Sequence, residues 1–310
     1  ATTLFPYTTL FRSSLKLARS DTYHGTKAAS NVVEFMQYSD ADALSKALTD
    51  GSLDMAAPVS ASTATGLNGK DGLTVKEGAT TDKVLLAYNN GTDSLLSDEQ
   101  ARKAFRYQID AAGIASAQPD AAGALGGPIS LLEPGYEDLT GLYPHDENQA
   151  GQMFSYFGAQ YLTTVNLVVP EEYRSLAETI KQQIERQPRP TVNLEVLSDE
   201  DYAKRIKDGK WELTVMSMDG TDDAGIFADP DSMFHYDHTE AQQAYADARA
   251  ATNDADYEAR MKAYARLISE DAASDWLYTR KCFTVASTKV SGYPTSMINR
   301  RMPLAGLTVK

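Results

Sequence analysis

The segment Asp219-Gly220-Thr221-Asp222-Asp223 gathers three carboxylates directly after Trp211 to Met218, a stretch that reads as a strand. Carboxylates there suit charge-assisted pairing with an ammonium or guanidinium, and in open α/β sheets ligands collect beyond the carboxyl ends of strands. The same residues also suit a solvated acidic turn, or an Asp capping a short helix. His235-Tyr236-Asp237-His238 places two histidines three residues apart, a spacing that on a helix can hold a metal. The pair precedes the expected N-cap Thr239 and has no third ligand close in sequence, so it reads as surface histidines. No metal site and no cofactor are expected.

Other chemistries lack their residues. There is no G-x-G-x-x-G opening a helix after a strand, no phosphate loop and no G-x-S-x-G elbow. Gly123-Ala124-Leu125-Gly126-Gly127-Pro128 precedes no clear helix and reads as a turn. An acidic chain produces carboxylate pairs by chance, so none of them marks acid/base catalysis. The single cysteine, Cys282, cannot form an intrachain disulfide. It sits in an apparent strand without a local histidine partner, and reads as a buried structural thiol.

A net charge of −14 over 310 residues argues against a nucleic-acid backbone or an anionic lipid surface as partner. No stretch reaches the roughly 18 apolar residues that span a membrane, and no signal peptide is visible.

The elements follow from periodicity. Residues 32–37, 53–56 and 84–89 read as strands, the last apolar enough at its start for burial on both faces. Helices are expected at 40–50, stopped by Gly51, and after Ser97-Asp98-Glu99-Gln100, which has the form of a capping box with Ser97 as N-cap. Gly113 is expected to end that helix and to open a long loop over 113–145. A helix over 147–157, stopped by Gly158, precedes a β-α-β pattern: strand 164–169, helical spacing from Tyr173 to Ile184, strand 192–196. Ser198 can cap a helix over 199–208. Helices at about 240–251 and 254–273 lead to a strand over 276–286. Parallel strands joined by a helix imply an α/β lobe.

In this order the elements resemble family 5 extracellular solute-binding proteins, the binders of dipeptides, oligopeptides and nickel complexes. Ala41 to Asp54 is similar to the family's helix followed by Gly-x-x-Asp. Leu85 to Asn89, then Leu96 to Asp110, match an apolar strand ending in Asn and a helix of the type Asp-x-x-x-Arg-x-Ala-x-x-x-x-Ile-Asp. Tyr143 to Gly158, Arg174 to Tyr202, Ala228-Asp229-Pro230 and Met261 to Leu277 extend the likeness, which covers about 14–310. The chain departs from the family at Met218-Asp219-Gly220, where a Gly-Trp is common.

The resemblance implies a two-lobed periplasmic-binding-protein-like α/β fold of type II, the large peptide-binder type, with the N-terminal part missing. Residues 14–87 and 287–310 would form the remnant of lobe one, and 88–286 lobe two, with crossings near Tyr88-Asn89-Asn90 and Phe283-Thr284-Val285. Thr3 to Ser13 resembles the translation of a sequencing adapter, so residues 1–13 are expected to be an artefact. The implied protein is no enzyme. It is the monomeric binding component of an ABC importer, periplasmic or a cell-surface lipoprotein, closing on a small ligand and docking on a membrane permease. A peptide is the first ligand class, a nickel chelate or sugar the alternative. Expected ligand contacts are Tyr88, Asn89, Asn90, Asp219, Thr221, Asp222, Asp223 and Phe227, with Tyr88 and Phe227 as apolar walls and Asp222 or Asp223 on a peptide ammonium. The rival classes are an α/β enzyme and a surface adhesin or receptor without transport.

Overall fold

The computed structural model of the chain describes residues 14–156, 164–299 and 301–310. Residues 1–13, and the Phe157 and Gly158 expected at a helix end, lie outside the described residues. In chain order the elements are β1 (Ser14–Ala18), β2 (Val32–Met36), α1 (Ala41–Asp50), β3 (Met55–Val59), α2 (Ala61–Leu67), β4 (Leu73–Tyr88), α3 (Glu99–Gln108), α4 (Ala111–Ala117) and β5 (Ala121–Ala124). There follow α5 (Glu147–Tyr156), β6 (Thr164–Pro170), α6 (Arg174–Ile184), β7 (Thr191–Leu197), α7 (Asp199–Lys207), β8 (Leu213–Met218), α8 (Thr239–Arg249), α9 (Asp254–Glu270), β9 (Ser274–Ser287), β10 (Val290–Ser291) and β11 (Thr308–Val309). The chain divides into two compact units.

The first unit comprises residues 1–78, 282–297 and 301–310. Asp40 caps α1 by accepting the Ala43 N–H at 2.7 Å, and Gly51, at φ +79°, ends it. β3 pairs antiparallel with the end of β9, Met55 facing Ala286 and Ala56 facing Val285. Leu48, Leu67 and Val285 form a small core there. Gly78 is required by space, because a Cβ on it would lie 1.9 Å from the Thr295 carbonyl oxygen. The β1–β2 hairpin leaves Leu15, Leu17, Val32, Phe35 and Met36 exposed.

The second unit comprises residues 79–281 and 298–300. Its strands run in the order β9-β4-β8-β6-β7, with β5 beside β9. β6, β7 and β8 are parallel, joined through α6 and α7 as the β-α-β pattern requires, whereas β4 runs antiparallel to β8. Successive strand residues face opposite sides of a sheet. Val84, Leu86 and Tyr88 therefore enter one core with Phe105, Phe154 and Ile180, while Leu85 and Ala87 enter another with Phe227, Tyr264 and Trp276. Covering both faces is what an uninterrupted apolar run demands.

Several local expectations change. Asp98, not Ser97, caps α3, accepting the Gln100 N–H at 2.7 Å, while Ser97 ends a short 3-10 helix over Leu95–Ser97. A carboxylate satisfies the free N–H groups and also complements the helix dipole. Gly113 does not end α3. Asp110 starts a new helix by accepting the Gly113 N–H at 2.8 Å, so α4 and β5 occupy the beginning of the expected 113–145 loop. His238 rather than Thr239 caps α8, its Nδ1 accepting the Ala241 N–H at 3.2 Å.

Candidate functional site

β8 ends at Met218 and the acidic turn follows it, leading into a 3-10 helix over Asp223–Ala228. This turn is held from several sides. The Thr81 hydroxyl donates to the Asp219 carbonyl at 2.8 Å. Lys83 Nζ donates to the Gly220 carbonyl at 3.2 Å and lies 2.9 Å from Asp223 Oδ1. Lys83 also pairs with Glu133 Oε2 at 2.8 Å, an oxygen that accepts the Ser130 N–H as well. The exposures of these side chains are 1% for Lys83, 4% for Glu133 and 16% for Asp223. One ammonium is thus shared by two carboxylates away from water. Burial pushes the Asp223 carboxyl up to about 6, and the Lys83 charge beside it opposes that rise.

Asp222 differs from its neighbour. It adopts the left-handed backbone at φ +74° and stands exposed. Its Oδ1 accepts the Tyr245 hydroxyl and its Oδ2 accepts Arg249 Nη1, each at 3.0 Å. Asp222, Thr221 and Arg249 border a cavity of about 350 Å³ whose apolar lining includes Ile129, Leu132 and Met261. The arrangement offers opposite charges at the rim of a small apolar hollow, suited to a compact polar ligand with an apolar part.

The expected site residues do not all converge. In the antiparallel register Lys83 faces Met218 and Tyr88 faces Leu213. Residues 88–90 therefore lie at the opposite end of the β4–β8 pair from the acidic turn, roughly 17 Å away at about 3.3 Å per residue. This pairing direction sets the two groups of expected contacts at opposite ends of the strand pair. Tyr88 is fully buried against Phe105, their ring centroids 6.4 Å apart. Phe227 is fully buried too, 4.4 Å from Phe234 and 5.4 Å from Trp276. Neither ring presents surface to a ligand. Asn90 donates to the carbonyls of Tyr88 and Phe234, each at 3.0 Å, and so ties the end of β4 to the loop before α8. Asn89 donates to the Trp211 carbonyl at 2.9 Å and borders a second cavity, of about 720 Å³, with Arg205, Glu212 and His235.

His235 is exposed, and the His238 ring stacks on Tyr236 at 5.5 Å. Among the described residues no group of three or more His, Cys, Asp or Glu could hold a metal ion. Cys282 is buried, its thiol donating to the Thr295 carbonyl at 3.0 Å. Sequence reasoning missed Lys83, Glu133, Tyr245, Arg249 and Asn299 as shapers of the turn. Lys83 alone carried a signal: a charge heading an otherwise apolar run.

Solved structures of low sequence identity share this fold. HbpA2 from Haemophilus parasuis superposes with a TM-score of 0.83 at 14% identity, covering 96% of this chain and 62% of that one. The ABC transporter substrate binding protein CtaP from Listeria monocytogenes gives 0.82 at 14%, covering 96% and 64%. The periplasmic binding protein DppA from Helicobacter pylori, solved with the peptide STSA, gives 0.74 at 16%, covering 96% and 60%. This chain thus spans less than two thirds of the length of each. Residues 11–245 match the description "Bacterial extracellular solute-binding proteins, family 5 Middle", and the chain belongs to that family. Comparison with curated proteins gives no match. No helix among the described residues is long and apolar enough to cross a membrane.

Proposed function

We propose that the chain acts in the substrate-binding component of an ABC importer, taking up a di- or oligopeptide outside the cytoplasmic membrane and delivering it to a permease. Family membership supports this reading, and so does the acidic turn beyond the carboxyl end of β8, opening on a cavity. In this proposal the protein works as a monomer, in the periplasm or as a surface lipoprotein, and performs no catalysis. Its two units correspond to the two lobes, with residues 88–286 assigned chiefly to the second. Ligand favours a closed state only through contacts better made there.

The observation that carries the assignment of roles is the contrast between Asp222 and Asp223. Asp223 is committed to a buried ammonium, whereas Asp222 is exposed and paired with the Tyr245 hydroxyl and the exposed Arg249. An exposed pair such as Asp222–Arg249 is worth about 0–1 kcal/mol, so opening it costs little. Asp222 is therefore the carboxylate offered to a peptide ammonium, and Arg249 is freed to meet an acidic group. The test is a thermal-shift screen of peptides, metal chelates and sugars. Peptides should stabilise the protein by mass action, and Asp222→Ala should weaken that effect about tenfold or more. Stabilisation by chelates or sugars alone, or an Asp222→Ala variant with full peptide affinity, refutes the reading.

A further inference from the structure

The contacts of Asn299 with the acidic turn come from far along the chain. Residues 298–300 belong to the second unit, while 282–297 before them and 301–310 after them belong to the first. Asn299 has a left-handed backbone at φ +53°, a conformation that Asn accepts more readily than most residues. Its Oδ1 accepts the Thr221 N–H at 2.6 Å, and its Nδ2 donates to Thr221 Oγ1 at 3.1 Å. Its own N–H donates to Thr81 Oγ1 at 3.0 Å, and that hydroxyl donates onward to the Asp219 carbonyl. A closed circuit of hydrogen bonds thus runs from Asp219 through Thr81 and Asn299 to Thr221. The preceding residue, Ile298, lines the same 350 Å³ cavity as Thr221 and Asp222.

We propose that Asn299 is the positioning residue of the ligand-facing half of the turn: its amide sets how Thr221 and Asp222 face the cavity, and it ties that cavity to the segment where the chain changes units. The other half of the turn has a different anchor. Lys83 grips Gly220 and Asp223 from the buried side, whereas Thr221 is exposed and no burial holds it. A ligand that orders the turn must then also order residues 298 and 299, and the reverse holds by linkage.

Two variants separate side chain from backbone. Asn299→Gly keeps the left-handed conformation and removes the amide. Asn299→Asp keeps an acceptor for the Thr221 N–H, meets the Thr221 hydroxyl with an acceptor in place of a donor, and adds one negative charge. Hydrogen–deuterium exchange of the whole chain reads the effect without any ligand. In Asn299→Gly, exchange across 220–223 should accelerate on the order of tenfold, as expected for one to two lost hydrogen bonds. Exchange in 214–217 of β8 should stay unchanged, and Asn299→Asp should restore most of the protection. Unchanged exchange at 220–223 overturns the proposal. Equal acceleration across β8 also overturns it, because it marks general destabilisation. The affinity arm rests on the peptide-binding reading and uses the peptide STSA as probe. STSA should slow exchange at both 220–223 and 298–299 in the unaltered chain, and bind Asn299→Gly several-fold more weakly at equal melting temperature. Failure of STSA and of other peptides to bind the unaltered chain sinks the function reading, while the ligand-free exchange still decides the role of Asn299.

Discussion

Replacing Lys83 by Met tests the electrostatic account of the turn. The substitution keeps most of the side-chain volume and strands the Glu133 and Asp223 carboxylates, which are 4% and 16% exposed, without their cation. Removing one partner from a buried ion pair costs about 3–5 kcal/mol, a large part of the roughly 5–15 kcal/mol that stabilises a typical domain. The cost should depend on pH. In the unaltered chain Asp223 titrates near 6, above the ordinary carboxylate range. The folded state therefore binds this proton more tightly than the unfolded one, and its contribution to stability is lost as pH rises from about 4 to about 6, then stays flat. Without Lys83 the Asp223 carboxyl rises further, so stability should keep falling above pH 6 by about 1.4 kcal/mol per pH unit while that carboxyl retains its proton. Urea unfolding at pH 5 and pH 8, followed by tryptophan fluorescence, measures this, because Trp211 and Trp276 both lie in the second unit with Lys83. The triple variant Lys83→Met, Glu133→Gln, Asp223→Asn carries no stranded charge and should recover most of the loss at pH 8. A deficit below about 1 kcal/mol, or one equal at both pH values, would refute the reasoning.

Two further outcomes follow from local structure. Asp98→Ala should cost about 1 kcal/mol through loss of the α3 cap, whereas Ser97→Ala should stay within about 0.5 kcal/mol; paired urea titrations decide between them, and the reverse order would reinstate the capping box. Gly78→Ala should destabilise the first unit by at least about 1–3 kcal/mol, since the new methyl must displace the Thr295 carbonyl. Proteolysis of that unit under native conditions reports it, and an unchanged cleavage rate would count against the packing described.

The parts of the fold that were readable in advance are those set by periodicity. Val84 to Tyr88 faces two cores because it has no polar alternation, and the β6-α6-β7 unit follows from helical spacing between two extended runs. Local competition was less readable. At 97–98 and 109–113 two capping residues stand close together, and the carboxylates of Asp98 and Asp110 hold the N–H groups there. Least readable was the site, because its geometry depends on strand direction. Asn89 and Asp222 each follow a strand end, yet β4 and β8 run in opposite senses and carry them apart. Asn299 reaches Thr221 across 78 positions of sequence, a distance over which no local pattern speaks.

The double-sided burial of β4 also bears on how this chain can drift. Leu85 and Leu86 are joined by one peptide bond but answer to different sets of neighbours, the first to α8 and α9, the second to α3 and α6. A change at one is repaired by residues far off in sequence on the same side, and its immediate neighbour is indifferent to it. Compensating replacements among relatives should accordingly pair Leu86 with Phe105 or Ile180, and Leu85 with Tyr264 or Trp276, leaving each layer free to be rebuilt while the other stands.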